Sequence, residues 1–217
     1  MQSKIRFEGI SMSKNQEYYV VKRLLDVIGS LVAIILFLPI SVYLAFRIKI
    51  EDHGPIIYKQ ERIGRDGRRF FILKFRSMVV GAHAMKNEIL KSSDVDGPIF
   101  KMREDPRVTK VGNFMRLHSL DEIPQFINVL RGDMSLVGPR PALPEEVDEY
   151  TEKEKERLNV LPGLSGLWQV SGRSNLTYEE MIELDLQYSR NQSTWLDLKI
   201  LAMTVIQMFD SKNSGAY

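Results

Sequence analysis

The sequence predicts a membrane-associated α/β protein, in which an N-terminal membrane helix precedes a small globular domain with a short antiparallel sheet and interfacial amphipathic helices. Two observations predict this class. A nearly continuous apolar run covers residues 24–46, and two strand-like segments flank an Asp-Gly pair at residues 66–67. At 217 residues the chain is also long enough to bury a core of its own. We therefore expect residues 1–50 to hold the membrane helix and residues 51–217 to form the globular domain.

The composition limits the chemistry that this chain could perform. It contains no cysteine, which excludes thiol nucleophiles, disulfides and zinc sites built on thiolates. Its three histidines, His53, His83 and His118, are scattered without metal-ligand spacing. The net charge of +2 does not indicate nucleic acid as a partner. Any chemistry therefore rests on carboxylates, hydroxyls and basic groups.

The apolar run contains Asp26 as its only charge and is long enough, at about 1.5 Å per residue, to cross a bilayer. A buried core helix is the alternative. Pro39 predicts a kink, because a proline leaves the carbonyl of Ile35 without its helical partner. A helix that bends there and leaves on the side it entered is one resolution, and a straight span is the other. The charge distribution favours neither direction, since basic residues flank both ends: Lys22, Arg23, Arg47 and Lys49.

The segments around the Asp66-Gly67 turn predict an antiparallel hairpin, with IIYKQERIG before the turn and RRFFILKFRSM after it. Because side chains alternate along a strand, Lys74 and Arg76 share one face. They interrupt apolar positions, which favours a face that binds polyphosphate. A solvated edge or a contact with lipid headgroups accounts for the same basic residues equally well.

A segment beginning at Ser119, SLDEIPQFINVLRGDMSLVGPRP, is the one that the rest of the chain is expected to serve. Pro124 has no N–H and suits only the first turn of a helix, which places the helix start near residues 120–122. Asp121 and Glu122 would then lie at a helix N-terminus, where a phosphate and a metal could meet. The alternative is ordinary capping, because Ser119 and Glu122 have capping-box spacing. Residue chemistry alone leaves this choice open.

Three arginines are further candidates for binding phosphate. Arg116 ends a cationic segment three residues before Ser119, so it would lie close to the two carboxylates. Arg140 is presented by a loop that prolines stiffen on both sides. Arg173 lies in the glycine-rich stretch LPGLSGLWQVSGRSNLTYEE, which is predicted to be an ordered loop; a plain turn is an equal alternative there.

The C-terminal half is predicted to be mainly helical. A charged, solvated helix is expected to run from Pro144 to Arg157, and a second helix from about Tyr178 to Tyr188. The apolar stretch WLDLKILAMTVIQMF predicts either a core helix or a helix lying at a membrane surface.

Taken together, these residues resemble one family, the bacterial monotopic phosphoglycosyl transferases, also called initiating sugar transferases. The motifs cover nearly all of residues 20–209, and the chain looks like the family's short form, which consists of the catalytic domain. Their combination is far more specific than any one of them. The motifs are KRLLD from Lys22, KFRSM from Lys74, DPRVTKVG from Asp105, SLDEIPQFINVLRGDMSLVGPRP from Ser119, PGLSGLWQVSGR from Pro162 and LDLKIL from Leu196.

The resemblance implies transfer of a sugar-1-phosphate from a UDP-sugar to undecaprenyl (polyprenyl) phosphate, with release of UMP. The family's mechanism is ping-pong. Asp121 matches the nucleophile, which would also bind the required Mg²⁺, and Glu122 matches its partner in a carboxylate dyad. Lys74, Arg116 and Arg140 match basic residues of the family's site.

The resemblance further implies a re-entrant helix and a catalytic domain on the cytoplasmic face of the bacterial inner membrane, in contact with its lipids. The family often has serine before the proline of this helix, whereas this chain has Leu38-Pro39. The loop around Trp168 points to glucose or galactose as the sugar. The reaction would be the first membrane step of polysaccharide or glycoconjugate assembly, and a homo-oligomer is left open.

Two other functions compete with this one. A membrane-anchored module could dock its basic hairpin on anionic lipid without catalysis. A metal-dependent phosphohydrolase acting on lipid diphosphates could use the same two carboxylates, and only dependence on a UDP-sugar donor separates it from the transferase.

Overall fold

The structure is a computed structural model that describes residues 14–82, 85, 105–172 and 176–209. These residues combine helices with two small two-stranded sheets, which confirms the mixed α/β class. In chain order the elements are α1 (Lys14–Asp52), β1 (Ile57–Ile63), β2 (Arg69–Phe75), α2 (Lys110–Leu117), α3 (Gln125–Arg131), β3 (Ser135–Val137), α4 (Pro144–Asp148), α5 (Glu152–Lys155), β4 (Gly163–Ser165), α6 (Leu167–Ser171), α7 (Tyr178–Arg190) and α8 (Thr194–Phe209).

Helix α1 has 39 residues, and much of its apolar surface is exposed while several of its polar side chains are buried. Lys22 and Asp26 are 6% and 3% exposed, whereas Ile35 is 72% exposed. At about 58 Å it is, in the described part of the chain, the one helix long and apolar enough to cross a membrane. This is compatible with membrane association. The helix continues through Pro39 without interruption, so the kink and the re-entrant course stay predictions.

Both ends of α1 pack against the same globular body. Near the N-terminus, Lys22 Nζ donates a hydrogen bond to the Val137 carbonyl, 2.9 Å away. Near the C-terminus, Leu44 is fully buried among apolar residues of β2 and α2. Between these points the ring of Phe37 stacks on Phe126 of α3, with centroids 6.4 Å apart. Helix α1 therefore lies along the globular body and does not project from it.

Strands β1 and β2 form the predicted antiparallel hairpin, in which Ile63 faces Arg69. Asp66 and Gly67 in the turn have φ angles of 57° and 74°, a left-handed conformation that aspartate and glycine tolerate better than most residues. Ile63 also forms a bridge with Ala142. The end of β1 is thereby fixed beside the loop that follows β3.

Strands β3 and β4 pair in parallel, with Ser135 beside Gly163. The prediction of a loop over the glycine-rich stretch is therefore wrong for residues 163–165 and for α6. Strands of three residues are too short for an alternating pattern to reveal them. Glycine is needed at position 163, because a Cβ there would lie 2.0 Å from the backbone nitrogen of Gly138.

The C-terminal helices close the core. Helix α7 contains the predicted segment from Tyr178 to Tyr188. Helix α8 buries Ile200 completely but leaves Trp195 77% exposed, so it combines a core face with an apolar exposed face. The single charged helix predicted before Arg157 is wrong: α4 and α5 are separate, and Arg157 is buried. The main core cluster consists of Ile72, Val129, Met134, Leu136, Val137, Val170, Tyr188 and Ile200.

Candidate active site

Asp121 and Glu122 lie in a short 3₁₀ turn, Leu120–Glu122, that precedes α3. A helical turn therefore begins where the proline predicted it. The regular α-helix starts only at Gln125, with Pro124 as its N-cap residue. Because Pro124 has no N–H to contribute, it separates the turn that carries the carboxylates from the helix that supports it.

Ser119, directly before this turn, has a left-handed backbone with φ of 54°, which is uncommon for a residue other than glycine. Its side chain makes no capping hydrogen bond, so the capping-box interpretation is wrong. Gly132 at the other end of α3 also has a positive φ, 86°, and ends the helix as predicted. The chain between α2 and β3 therefore turns at Ser119 and at Gly132.

Asp121 is only 9% exposed, and no side chain of the described residues donates a hydrogen bond to its carboxylate. Burial raises its pKa above the ordinary value, and the neighbouring charge of Glu122 acts in the same direction. The positive charges of Lys74 and Arg116 oppose this shift without cancelling it. Asp121 is thus a carboxylate with lone pairs that no side chain of the described residues occupies.

Glu122 is held by Lys74, whose Nζ lies 2.7 Å from Glu122 Oε1. Burial acts to raise the pKa of Glu122, but Lys74, with a smaller contribution from Gln125, outweighs burial and the pKa lies below its ordinary value. The two adjacent carboxyl groups therefore have pKa values shifted in opposite directions, a pattern found where neighbouring acids have different roles.

Two of the predicted arginines lie near the carboxylates. Arg116 donates a hydrogen bond from Nε to Ser77 Oγ at 2.9 Å. Burial lowers the pKa of Arg116, and the negative charge of Asp121 opposes that shift. Arg140 is paired with Glu146 at 3.2 Å, and its charge contributes to the lowered pKa of Glu122. The structure thus brings together Lys74, Arg116, Arg140 and the two carboxylates.

One other predicted arginine, Arg76, is not part of this cluster. Arg76 follows β2 and forms a bidentate ion pair with Asp52, the last residue of α1, instead of facing the carboxylates. Arg173 lies outside the described residues, so its place is not defined. A phosphate-binding role for either remains a prediction.

The residues present are compatible with Mg²⁺ in one particular way. Among the described residues, no group of three or more histidine, aspartate or glutamate side chains could enclose a metal. Mg²⁺, however, is commonly bound by one or two carboxylates together with phosphate oxygens and water. Asp121, which accepts no side-chain hydrogen bond from the described residues, fits that donor set. One oxygen of Glu122 is already occupied by Lys74.

Sequence reasoning missed three residues that support this cluster. Ser77 holds Arg116, and Gln125 contacts Glu122. Arg62 in β1 donates to the Pro141 carbonyl at 3.0 Å, next to Arg140. The hairpin pattern placed Arg62 on a strand, but no local signal distinguishes a buried arginine from an exposed one among the many basic residues of the hairpin.

Comparison with known proteins adds an independent observation. Residues 17–211 match the family described as bacterial sugar transferase. The chain is 43% identical over 206 residues to the galactosyl transferase CpsE of Streptococcus agalactiae, a match that covers 92% of this chain and 46% of the relative. It is 40% identical over 200 residues to the UDP-glucose:undecaprenyl-phosphate glucose-1-phosphate transferase of Escherichia coli, covering 88% of this chain and 41% of the relative.

A shorter relative matches over most of its own length. The exopolysaccharide production protein ExoY of Sinorhizobium fredii is 38% identical over 197 residues, covering 89% of this chain and 87% of the relative. The chain spans less than half the length of the first two relatives. The similarity therefore concerns the region that all of them share.

Proposed function

The chain belongs to the bacterial sugar transferase family, and from this premise we propose that it transfers a sugar-1-phosphate from a UDP-sugar to undecaprenyl or another polyprenyl phosphate. The products are UMP and a polyprenyl-diphosphate sugar. The relatives' names support glucose or galactose as the sugar and exopolysaccharide production as the setting. The observation that carries the proposal is that the Asp121 carboxylate is buried beside two cationic side chains, Lys74 and Arg116.

In the first half of the reaction, an oxygen of Asp121 attacks the phosphorus that carries the sugar. The new bond is a carboxyl–phosphate bond, and the bond broken is the one to the bridging oxygen of the diphosphate, whose electron pair leaves with UMP. In the second half, an oxygen of polyprenyl phosphate attacks the same phosphorus and regenerates the Asp121 carboxylate. Splitting the transfer lets a soluble donor and a membrane-bound acceptor use one site in turn.

The cationic side chains near Asp121 balance the negative charge of the phosphate groups. Lys74 holds Glu122 in its ionised form, and Arg116 and Arg140 would offset negative charge on the phosphoryl group. Mg²⁺, which Asp121 would hold together with donor phosphate oxygens, would neutralise further phosphate charge when bound. Loss of activity on chelation, restored by added Mg²⁺, is the expected result for this part of the proposal.

The proposal places the protein on the cytoplasmic face of the inner membrane, with α1 re-entrant. Its support is that the two ends of α1 contact one globular body, which favours a course with both ends on one side of a bilayer. Because the chain lacks cysteine, single cysteines at Glu17 and Lys49 can be labelled without background. Labelling of both from the same side is expected, and labelling from opposite sides would mean a full crossing.

The test of the reaction is UMP release from a panel of UDP-sugars, using purified protein, undecaprenyl phosphate and Mg²⁺. We expect release with UDP-glucose or UDP-galactose and none with Asp121→Asn. Release of phosphate from a lipid diphosphate without any UDP-sugar would favour the phosphohydrolase. Silence across the panel, with folded and membrane-bound protein, would favour the lipid-docking module.

A further inference from the structure

The loop formed by residues 137–142, called here the Arg140 loop, is held by three buried cationic side chains. Each donates a hydrogen bond to a backbone carbonyl of the loop. Lys22 Nζ donates to Val137 at 2.9 Å, Arg157 Nη2 to Arg140 at 3.3 Å, and Arg62 Nη1 to Pro141 at 3.0 Å. They are all 6–8% exposed.

Two of these three charges are balanced by an acid and the third is not. Lys22 is paired with Asp197, and Arg157 with Asp185. Arg62 forms no ion pair within the described residues. Its second hydrogen bond, at 2.8 Å, goes to the neutral side chain of Gln60, and its Nε has no partner there.

This arrangement is unfavourable in the free protein. A buried charge without a counter-charge is costly, and a second cation nearby adds to the cost. The consequence is visible in the pKa of Arg62, which burial, together with the charge of Arg140, lowers to about 10. Glu146 and Glu122 offset only part of this effect. Ionisable groups held in such unfavourable surroundings are concentrated at functional sites.

Arg62 lies where an anionic substrate would relieve this imbalance. Its charge interacts with both Arg140 and Glu122, so it borders the cluster of the candidate active site. The side chain itself is closed off, since its hydrogen bonds go to Gln60 and to the loop. It would therefore act on a bound phosphate through its charge and through the position of Arg140, without direct contact.

We propose that Arg62 is a positioning residue for the donor diphosphate: its unbalanced charge favours the bound anion, and its hydrogen bond to Pro141 orients Arg140. The inference rests on the proposed function, because the anion it assigns is the diphosphate of the UDP-sugar. It accounts for the absence of an acid partner of Arg62 within the described residues, since an internal carboxylate would compete with the substrate for the same charge.

Gln60→Glu tests the inference without removing any hydrogen bond of Arg62, because it supplies an acid of nearly the same shape. We expect this variant to unfold at a higher temperature than wild type and to bind UMP about tenfold more weakly. Arg69→Gln in the same hairpin changes the net charge equally at an exposed position, and its UMP affinity should stay within about twofold of wild type. Arg62→Gln should also weaken UMP binding about tenfold.

UMP binding is measured by calorimetric titration, with thermal unfolding of each variant alongside. Wild-type UMP affinity in a stabilised Gln60→Glu protein would overturn the inference and leave the proposed function intact. A Gln60→Glu protein less stable than wild type would overturn it too, because Arg62 would then have no unbalanced charge. Failure of the wild type to bind UMP would instead count against the proposed function.

Discussion

Asp121 and Asp197 are aspartates buried to a similar degree, 9% and 3% exposed, but they differ in their hydrogen-bond donors. Asp197 accepts hydrogen bonds from Lys22 at 2.9 Å, from Tyr188 at 2.6 Å and from Tyr18 at 3.0 Å. Asp121 accepts none from any side chain of the described residues. The first carboxylate joins α1 to the C-terminal helices, and the second lies beside lysine and arginine side chains that do not hydrogen-bond to it.

This difference distinguishes a carboxylate that stabilises the fold, Asp197, from one that is available for the reaction, Asp121. A buried carboxylate with several donors repays part of its desolvation cost and fixes the elements that supply the donors. A buried carboxylate without such donors destabilises the fold and keeps its lone pairs free. The same substitution, aspartate to asparagine, should therefore have opposite consequences at the two positions.

Asp121→Asn should give the largest loss of activity. The amide cannot act as the nucleophile, so UMP release should fall at least on the order of 10³-fold. The free energy of unfolding should stay the same or rise, because the variant removes a buried charge whose pKa is raised. Activity assays and thermal unfolding of the same preparation check both parts. A variant that is inactive because it is unfolded would contradict the distinction.

Asp197→Asn should give the largest loss of stability. It leaves the Lys22 ammonium buried without its counter-charge, and breaking such a pair costs about 3–5 kcal/mol. Activity per folded molecule at low temperature should remain within about threefold of wild type. Thermal unfolding in detergent or lipid nanodiscs measures the first effect. Wild-type stability with lost activity would instead mean that Asp197 acts in the reaction.

Lys74→Met should move the pH profile of the reaction. Activity needs ionised Asp121, so it falls as pH drops through the raised pKa of that group. Because Lys74 lowers the pKa of Asp121, its removal should shift this acid limb to higher pH and reduce UMP release by about 10–100-fold at neutral pH. Lys74→Arg, which retains the charge, should keep the limb closer to its wild-type position. An acid limb in Lys74→Met at the wild-type pH would contradict the role given to Lys74.

Lys74→Met should also lower the free energy of unfolding, by an amount that depends on pH. Lys74 lowers the pKa of Glu122 in the folded protein. The stabilisation that results is present above the ordinary glutamate pKa of 4.5 and is lost as pH falls through the lower folded value. Lys74→Met should therefore destabilise the protein more at neutral pH than in acid.

Arg76→Gln should have the smallest effect. It tests whether Arg76 stabilises the fold or binds substrate. Its partner Asp52 is partly exposed, so loss of the pair should cost about 1–2 kcal/mol. The KM for the UDP-sugar should stay within about twofold of wild type. A tenfold rise in KM with unchanged stability would mean that Arg76 leaves Asp52 to bind substrate, as its position on the strand predicted.

Local signals in the sequence were sufficient for elements whose conformation is set locally. The Asp-Gly pair predicted the hairpin, Gly132 predicted the end of α3, and Pro124 predicted the helical turn that carries the carboxylates. The short spacing between Arg116 and Ser119 also correctly predicted that Arg116 lies near the two carboxylates. Each of these features depends on a few consecutive residues and on backbone conformations that they strongly prefer.

Partners distant in sequence could not be predicted in the same way. Lys74 and Arg76 lie two residues apart, yet one is paired with Glu122 and the other with Asp52. The burial of Arg62 depends on a loop 79 residues further along the chain. The parallel pairing of β3 with β4 rests on close backbone contact, which leaves no periodic pattern in so short a strand.

The most direct test of the account is to incubate the protein with Mg²⁺ and a UDP-sugar in the absence of polyprenyl phosphate. UDP-glucose and UDP-galactose are used in turn, followed by rapid quenching and mass spectrometry. We predict one UMP released per chain and a hexose-phosphate added to the peptide that contains Asp121, with neither in Asp121→Asn. UMP release that begins only when polyprenyl phosphate is added, with no modified peptide, would contradict the role of Asp121 as the nucleophile.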